Sequence, residues 1–416
     1  MHARRGAFPG RATALLKAAM VVGAVLGANA CEDLLQVDLP GRLPADRLND
    51  PAMVPVLQVG MLADFECAWQ SYAYTSSVLT VEFENTITAR AELLWFNRVE
   101  SLNDASGTLN CTATGGAYLP LHTARFQAED LYRLVEELPQ GSVADAAEVL
   151  GTAAAHAGYS SVLLGEGFCE MVMDGGSIIS RQAVFQRADE WLTKALNQTT
   201  STSIRNMALV GRARARLNLG DAAGAFADAS QVPQGFTRVI QPSTTTERKV
   251  NRMWAQTHRD WEAGVAPAYR GLTVGGVADT RVQAVLSTHL GQDNVSPLWL
   301  QQKYTTAQAP VVVAGWKEAQ LIIAETRGGQ EAVDAINLLR TAAGLQSFSS
   351  SDPAAIQAQV VEERRRELWL EGHRLGDMLR LNIPFSSGVT NKGEPYGPIT
   401  CIPLPTTERN VNPNAR

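Results

Sequence analysis

The stretch Val360–Leu381, VVEERRRELWLEGHRLGDMLRL, decides the fold of this chain. It follows Ser351-Asp352-Pro353, a capping residue with proline at a first-turn position, and it ends before Pro384. These signals predict one helix with both ends marked. Aliphatic residues share one side of that helix: Val361, Leu368, Leu375 and Leu379. We interpret this side as a buried stripe, with Gly372 leaving room for a neighbouring helix.

The other side of the predicted helix carries alternating charges at successive steps of three: Glu371, Arg374, Asp377 and Arg380. Opposite charges at this spacing are neighbours on a helix, and the pattern is typical of a solvated face. Together with Arg364 and Glu367, we interpret Glu371 and Arg374 as members of structural ion pairs and not as ligand contacts.

The same residues spell a longer pattern over 363–380, Glu-Arg-Arg-x-Glu-Leu-x-x-Glu-Gly-x-Arg-x-x-Asp-x-x-Arg. It resembles the C-terminal hallmark of the RagB/SusD family. Two flanking segments agree in the same order. Residues 316–345 resemble the helix pair that precedes the hallmark, and residues 402–414 resemble the closing motif of the family. Upstream of residue 316 the resemblance rests on helix-repeat character.

Members of that family are outer-membrane lipoproteins that capture nutrients, often glycans, for a TonB-dependent transporter. The resemblance therefore implies a non-enzymatic nutrient-uptake protein without a cofactor. It implies a glycan or other small nutrient as ligand, a SusC-like TonB-dependent transporter as partner, and a lipid-anchored position at the outer membrane, facing the exterior.

The bulk composition is that of a globular protein with an acidic surface. Hydrophobic residues make up 45% of the 416 residues and charged residues 19%, with a formal net charge of −6. Four basic residues and no acid lie in the first thirty positions, so removing that segment takes the net charge from −6 to −10. This acidic balance disfavours nucleic acid as a partner.

Residues 1–30 are predicted to be a lipoprotein signal peptide. Basic residues precede an apolar run, Ala18–Leu26, which is too short to span a bilayer. Small residues then precede Cys31 and resemble a bacterial lipobox, in which the cysteine is acylated and becomes the first mature residue. Plain secretion, with Cys31 free or paired, is the alternative. Prolines interrupt residues 31–51, which are predicted to form an extended tether.

Four cysteines remain if Cys31 is lipidated, and an even number in a secreted chain permits three pairings. We favour Cys67 with Cys111, because both lie in the same loop-rich N-terminal region, and Cys169 with Cys401 by default. Four free buried thiols are the competing interpretation. No Cys-x-x-Cys occurs, and no metal site is predicted.

The body of the chain is predicted to be mainly α, a tetratricopeptide-like helical-repeat scaffold of SusD-like type. Apolar periodicity predicts helices at 52–65, 68–80, 121–137, 143–172, 184–197, 204–219 and 222–230. Residues 208–229 resemble a tetratricopeptide repeat, whose hairpins must stack to bury their faces. We expect a helical and loop region at 52–233, a loop-rich insertion at 234–310 and the hallmark region at 311–416.

The insertion contains short strand-like runs at 271–277 and 298–304, and Asp279-Thr280-Arg281 within it resembles a short family motif that we interpret as a structural ion pair. The Gly-rich stretch 385–398 is predicted to be a loop, and the last residues an extended tail.

Catalytic signatures are missing from the sequence. It contains no Gly-x-Ser-x-Gly, no His-Glu-x-x-His and no phosphate-binding glycine loop, and its histidines have no partner at ligand spacing. We therefore predict that the protein is not an enzyme. A secreted polysaccharide hydrolase remains one alternative, and a tetratricopeptide-like scaffold that binds other proteins of the cell envelope is another.

A carbohydrate site needs flat aromatic rings and polar side chains in a concavity. By resemblance, family ligand sites draw on the N-terminal loop region and the insertion. These positions nominate Trp69, Tyr74, Trp95, Trp254, Trp261, Tyr269, Asn97 and Arg98, with Asn85 as a further polar candidate. Each of the aromatic residues has a core position as its alternative.

Overall fold

The first half of the fold is a stack of antiparallel helices. The computed structural model describes residues 49–88, 96–99, 111 and 116–415. Its first six helices are α1 (Val54–Leu79), α2 (Tyr118–Glu137), α3 (Ala146–Gly167), α4 (Arg181–Gln198), α5 (Thr202–Leu219) and α6 (Ala222–Ala229). Successive helices from α2 to α6 pack on each other, as the repeat pattern predicts. The predicted helices at 52–65 and 68–80 are one continuous helix, α1.

Side chains cap the helices of the repeat. Ser180, Ser201 and Asp221 each accept a hydrogen bond from a backbone N–H in the first turn of α4, α5 and α6. Gly220 ends α5 in the left-handed conformation, with φ of 79°, that glycine adopts without strain. The helix ends could be predicted from the sequence because these signals are local.

Small residues let the helices approach closely. α3 is buried along most of its length. A Cβ added at Gly158 would lie 2.5 Å from Leu192 Cγ on α4, and one at Gly211 on α5 would lie 2.5 Å from Tyr159 Cε2. Neither distance is possible for a real Cβ, so these positions require glycine.

The C-terminal half continues with α7 (Trp316–Arg327), α8 (Gly329–Ala342), α9 (Pro353–Glu367), α10 (Arg374–Arg380) and α11 (Thr406–Val411). The prediction of one helix over 360–381 is wrong, because the chain turns at 368–373. Leu370 and Gly372 take left-handed φ angles of 59° and 80°. A Cβ at Gly372 would lie 3.3 Å from Ala73 Cα, so the turn packs directly on α1.

The prediction of a solvated charged face is also wrong. Only 6% of Glu371 and 5% of Asp377 is exposed. The prediction of structural ion pairs is confirmed for Arg364, Glu367 and Glu371, while Arg374 Nη1 has no hydrogen-bond partner among the described residues. Arg364 pairs with Asp377 at 2.8 Å, and Lys303 from the insertion pairs with Glu371 at 2.7 Å. The charges face inward because the turn folds α10 back over the scaffold.

Glu363, which is fully buried on α9, joins the insertion to the C-terminal helices. Its Oε2 lies 2.6 Å from Arg281 Nη1, and its Oε1 lies 2.7 Å from Nε of Arg340 on α8. Arg281 also pairs with Asp279 at 2.8 Å, which confirms the structural ion pair predicted for Asp279-Thr280-Arg281.

Within the described ranges the strands are short and pair in twos: β1 (Phe83–Asn85) with β5 (Ala263–Val265), β2 (Met171–Val172) with β3 (Ile178–Ile179), β4 (Thr237–Ile240) with β10 (Val311–Gly315), β6 (Thr273–Val274) with β7 (Val277–Ala278), and β8 (Ala284–Leu290) with β9 (Pro297–Gln301). All five pairs are antiparallel. The β4–β10 pair brings the two ends of the insertion together. The predicted strand at 271–277 is the β6–β7 hairpin.

Both favoured disulfides are present. Cys67 bonds Cys111 with Cα atoms 5.8 Å apart, and Cys169 bonds Cys401 with Cα atoms 5.2 Å apart. The second bond ties the tail to the end of α3. That tail is not wholly extended as predicted, because it contains α11.

Among the residues that the structure describes, no helix is long and apolar enough to cross a membrane. The predicted signal peptide, Cys31 and Trp95 lie outside the described residues.

We expect Glu363→Gln to lower the free energy of unfolding by about 3 to 5 kcal/mol, because it removes a charge from two buried guanidiniums. Urea denaturation followed by circular dichroism measures the loss. The matched control is Glu331→Gln on α8, whose carboxylate pairs with Arg327 in solvent and whose loss should barely move the midpoint. Equal midpoints for the two variants would contradict the structural role of Glu363.

The Cys169–Cys401 bond closes a separation of 232 residues and the Cys67–Cys111 bond one of 44. If each bond acts by restricting the unfolded chain, replacing either pair by serine should cost about 3 to 5 kcal/mol, and losing the longer loop about 1.5 kcal/mol more than losing the shorter one. Denaturation of the two double-serine variants under oxidising conditions measures the difference. A larger loss from the shorter loop would contradict this entropic account.

Candidate ligand-binding site

Three of the nominated aromatic residues lie in the core. Trp69, Tyr74 and Tyr269 are 1%, 8% and 3% exposed. The ring of Trp69 packs against Tyr159 of the scaffold, and that of Tyr269 stacks on Trp369 with 6.0 Å between centroids. In this arrangement their ring faces are covered by protein, which does not favour stacking on a ligand.

Trp254 is half-buried and packs against the same core. It ends a single helical turn, Arg252–Trp254, that a π-helical turn, Ala255–Arg259, continues. Asn251 caps the turn, and its Oδ1 accepts a hydrogen bond from the Trp254 N–H at 3.0 Å. The capping and packing fix this ring as part of the base of the insertion.

The nominated polar residues Asn97 and Arg98 are buried at 6% and 4% exposure. The Arg98 guanidinium lies over two rings of the Gly-rich loop, 5.5 Å from the centroid of Phe385 and 4.9 Å from that of Tyr396. It donates to the Ser386 carbonyl, and burial lowers the pKa of the guanidinium. Arg98 therefore holds the Gly-rich loop in place.

Trp261 is the nominated aromatic residue that combines an accessible position with a stacked geometry. It is half-buried, and its ring stacks on the exposed His289 with 4.8 Å between centroids and 13° between planes. Its Nε1 donates to the His258 carbonyl at 3.0 Å. The backbone of Trp261 takes a left-handed φ of 57°, which is rare for a bulky residue and is concentrated at functional sites.

Polar groups from the N-terminal loop and from the insertion fix this backbone. The Trp261 carbonyl accepts hydrogen bonds from Thr86 Oγ1 and from the Gln292 N–H, both at 2.8 Å. Gln292 Oε1 in turn accepts from the exposed Thr88 N–H at 3.1 Å. The stacked rings therefore lie beside hydroxyl and amide groups that are open to solvent.

The Gly-rich loop completes the arrangement. Lys392 pairs with Asp293 at 2.9 Å and donates to the Ile87 carbonyl. Asn391 Nδ2 donates to the Asn85 carbonyl at 2.6 Å, and Asn391 Oδ1 accepts from the Asn85 N–H at 3.3 Å. We call this meeting of segments 83–88, 256–296 and 385–398 the loop junction.

Asp293 stays ionised within the loop junction. Burial alone would raise its pKa, but hydrogen bonds from Ser296 and Val295 and the contact with Lys392 lower it to about 2. The Ser296 hydroxyl and N–H donate at 2.6 and 2.9 Å. The Lys392–Asp293 link therefore persists at any physiological pH.

Sequence reasoning missed His289, Gln292, Thr88 and Lys392. Thr88 and Gln292 are separated by 204 residues, so no local pattern joins them. The one available signal was the run of polar residues after β8, which lies in the same insertion as Trp261. Asn85, nominated as a polar contact, is 1% exposed, and its Oδ1 accepts a hydrogen bond from the Ile87 N–H.

Stacked rings beside amides and hydroxyls suit a sugar, because a sugar offers an apolar C–H face and many hydroxyls. Trp261 and His289 offer the flat surface, and Thr88 and Gln292 offer the donors and acceptors. Glu262 is adjacent, with its Oε1 accepting from Gln292 Nε2 at 3.5 Å.

Comparison with known proteins agrees with the predicted family. Residues 318–414 match the SusD family model. A SusD-like carbohydrate-binding protein from Bacteroides vulgatus ATCC 8482 shares the fold, with a TM-score of 0.66, 14% identity, and coverage of 88% of this chain and 97% of that one. The chain carries a SusD-family region on a SusD-like fold.

Two further solved structures resemble this chain. A SusD superfamily protein from Bacteroides thetaiotaomicron VPI-5482 has a TM-score of 0.64 and 14% identity, covering 88% of this chain and 99% of the other. A laminarin-binding SusD-like protein has a TM-score of 0.57 and 14% identity, covering 87% and 98%. At these identities the likeness shows the fold. No curated protein sequence matches the chain.

Proposed function

We propose that this SusD-like protein is a non-enzymatic surface receptor that binds a glycan at the loop junction and delivers it to a TonB-dependent outer-membrane transporter. The observation that carries the proposal is the stacked, partly accessible Trp261–His289 pair beside Gln292 and Thr88. One relative of the same fold is a carbohydrate-binding protein and another binds laminarin, which supports a glycan as the ligand class.

The loop junction is ordered before a ligand binds. Its segments are cross-linked by the Lys392–Asp293 pair and by the Asn391–Asn85 hydrogen bonds, so the ring pair is held before a ligand arrives. A site that is ordered in advance loses less conformational entropy on binding.

Anchoring at the outer membrane is part of the proposal. It rests on the basic residues, apolar run and small residues before Cys31, where an acyl chain would attach. The two disulfides support an oxidising compartment outside the cytoplasm.

We assign contact with the transporter to the surface of the helical scaffold. Leu119 and Phe126 are seven residues apart on α2 and so lie on one face, with 45% and 48% of each exposed. An exposed apolar stripe on a rigid helix suits contact with a large protein partner.

We expect Trp261→Ala to weaken glycan binding about tenfold, a loss of about 1.4 kcal/mol, because the stacking face disappears. A glycan array that includes laminarin selects the ligand, and isothermal titration of wild type and variant measures the loss. The matched control is Phe126→Ala, which removes an exposed aromatic residue from the scaffold and should leave glycan affinity unchanged. Equal affinity of Trp261→Ala and wild type would refute the loop junction as the site.

We also expect the full chain to fractionate with the outer membrane and to carry acyl chains, detected by mass spectrometry, on Cys31. Cys31→Ala should release it into the soluble fraction. Affinity purification of the wild type should recover a large β-barrel protein. Recovery of soluble envelope proteins alone would favour the protein-binding scaffold. Turnover of a polysaccharide that a single Asp or Glu change abolishes would favour the hydrolase.

A further inference from the structure

A second concavity lies at the base of the insertion. Thr280, Arg281 and Gln283 of segment 256–296 line it, but Trp261, His289, Gln292 and Thr88 do not. It is a cleft of about 350 Å³ between the β4–β10 pair, the N-terminus of α7 and the turn after α9. This volume is at the small end of the range for ligand sites and suits a molecule of about one sugar ring. We call it the hallmark cleft, because Glu367, Leu368 and Glu371 of the hallmark line it.

The cations on the wall of the hallmark cleft are already paired. Lys317 contacts Glu367 at 2.6 Å, Lys303 contacts Glu371 at 2.7 Å, and Arg281 contacts Glu367 at 3.1 Å. Each cation on the wall therefore has a carboxylate partner, and the cleft offers an anionic ligand no unpaired positive charge.

Glu318 is the exception on this wall. It lies in the first turn of α7 and is 97% buried, with 3% exposed. Its Oε1 has no hydrogen-bond partner among the described residues. The nearest basic nitrogens, Arg214 Nη1 and His373 Nδ1, are both 3.8 Å away, beyond hydrogen-bond distance.

The basic groups near Glu318 attract its charge but donate no hydrogen bond to its Oε1. Arg214 Nε donates to Glu166 at 2.8 Å, so Arg214 acts on Glu318 through its charge alone. His373 Nδ1 also has no hydrogen-bond partner within the described chain, and burial lowers the pKa of this histidine well below its usual value, so it is neutral. A buried carboxyl oxygen without a hydrogen-bond partner is costly, and such atoms commonly meet a ligand, an ion or an ordered water.

We propose that the hallmark cleft is a second binding site, for an amino sugar whose ammonium group is received by Glu318. An ammonium supplies three donors and the positive charge that Glu318 lacks. The hydroxyls of the sugar would meet Thr237, Thr280 and Gln283, which line the same cleft. This site goes beyond the glycan site at the loop junction and does not depend on it.

Glucosamine is the probe, tested by isothermal titration against the full chain at pH 6.5. Glucose and N-acetylglucosamine, which keep the ring and lack the ammonium, are the ligand controls. We expect glucosamine to bind wild type at least tenfold more tightly than either control and at least tenfold more tightly than it binds Glu318→Gln. Glu331→Gln, a change of the same kind at an exposed site, should bind as wild type does.

The pH dependence of glucosamine affinity separates a binding role of Glu318 from a purely structural one. The pKa of Glu318 is raised to about 8, chiefly by burial. The carboxylates of Glu166 on α3 and Glu371 in the turn also raise this pKa, while the guanidiniums of Arg214 on α5 and Arg364 on α9 lower it. The carboxyl is therefore protonated at pH 6.5 and must release its proton when it receives an ammonium. Release of one proton strengthens binding as pH rises, so affinity for wild type should increase about tenfold from pH 5.5 to 6.5.

The Glu318→Gln variant has no carboxyl to titrate and should show a flat profile. Circular dichroism establishes that it is folded, and Glu318→Asp, which keeps the charge, should retain part of the affinity. Glucosamine affinity that is the same in wild type and Glu318→Gln, or no binding at millimolar probe, would overturn the proposal and leave ordered water as the partner of Glu318. A loss with Trp261→Ala alone would assign amino-sugar binding to the loop junction and overturn it equally.

Discussion

The buried ion pairs around Glu363 and Arg364 are the interactions on which the rest of the structure depends. Glu363 holds Arg281 of the insertion and Arg340 of α8, while Arg364 holds Asp377 of α10. These contacts join the insertion, α8 and α10 to α9. Buried ion pairs add little net stability compared with apolar packing, but they tolerate few alternative geometries. Their contribution here is to set the orientation of the parts.

The helical scaffold and the loops are built by different interactions. The scaffold relies on close approach at positions such as Gly158 and Gly211, which leaves it little freedom to deform. The loop junction adds side-chain links between distant segments, such as Lys392 to Asp293. Substitutions within these loops can alter a binding surface while the packing of the helices stays the same. This separation suits a protein whose scaffold is common to many relatives with very different sequences.

Much of the scaffold could be predicted from the sequence, because capping residues and apolar periodicity are local signals. The turn at 368–373 could not, since Leu370 adopts a left-handed conformation that an apolar pattern does not reveal. The site was predictable only in part. Trp69 and Trp261 were nominated on the same ground, their place in the N-terminal region or the insertion, but one is 1% exposed and the other stacks on a surface histidine. Burial of this kind is decided by contacts between distant segments, such as Asn85 and Asn391, which are 306 residues apart.

The charge network also explains why Glu318 stands out. The neighbouring carboxylates Glu363, Glu367, Glu371 and Asp377 each lie 2.6 to 3.1 Å from a guanidinium or ammonium group, which compensates their charge. Glu318 is desolvated to the same degree but lies 3.8 Å from Arg214, whose hydrogen bonds go to Glu166. A neutral carboxyl is the lower-energy state of such a group when the cleft holds only water. An ionised carboxylate becomes favourable when a cation enters, so the same burial that destabilises the charged form in the free protein makes the cleft selective for a ligand that brings positive charge.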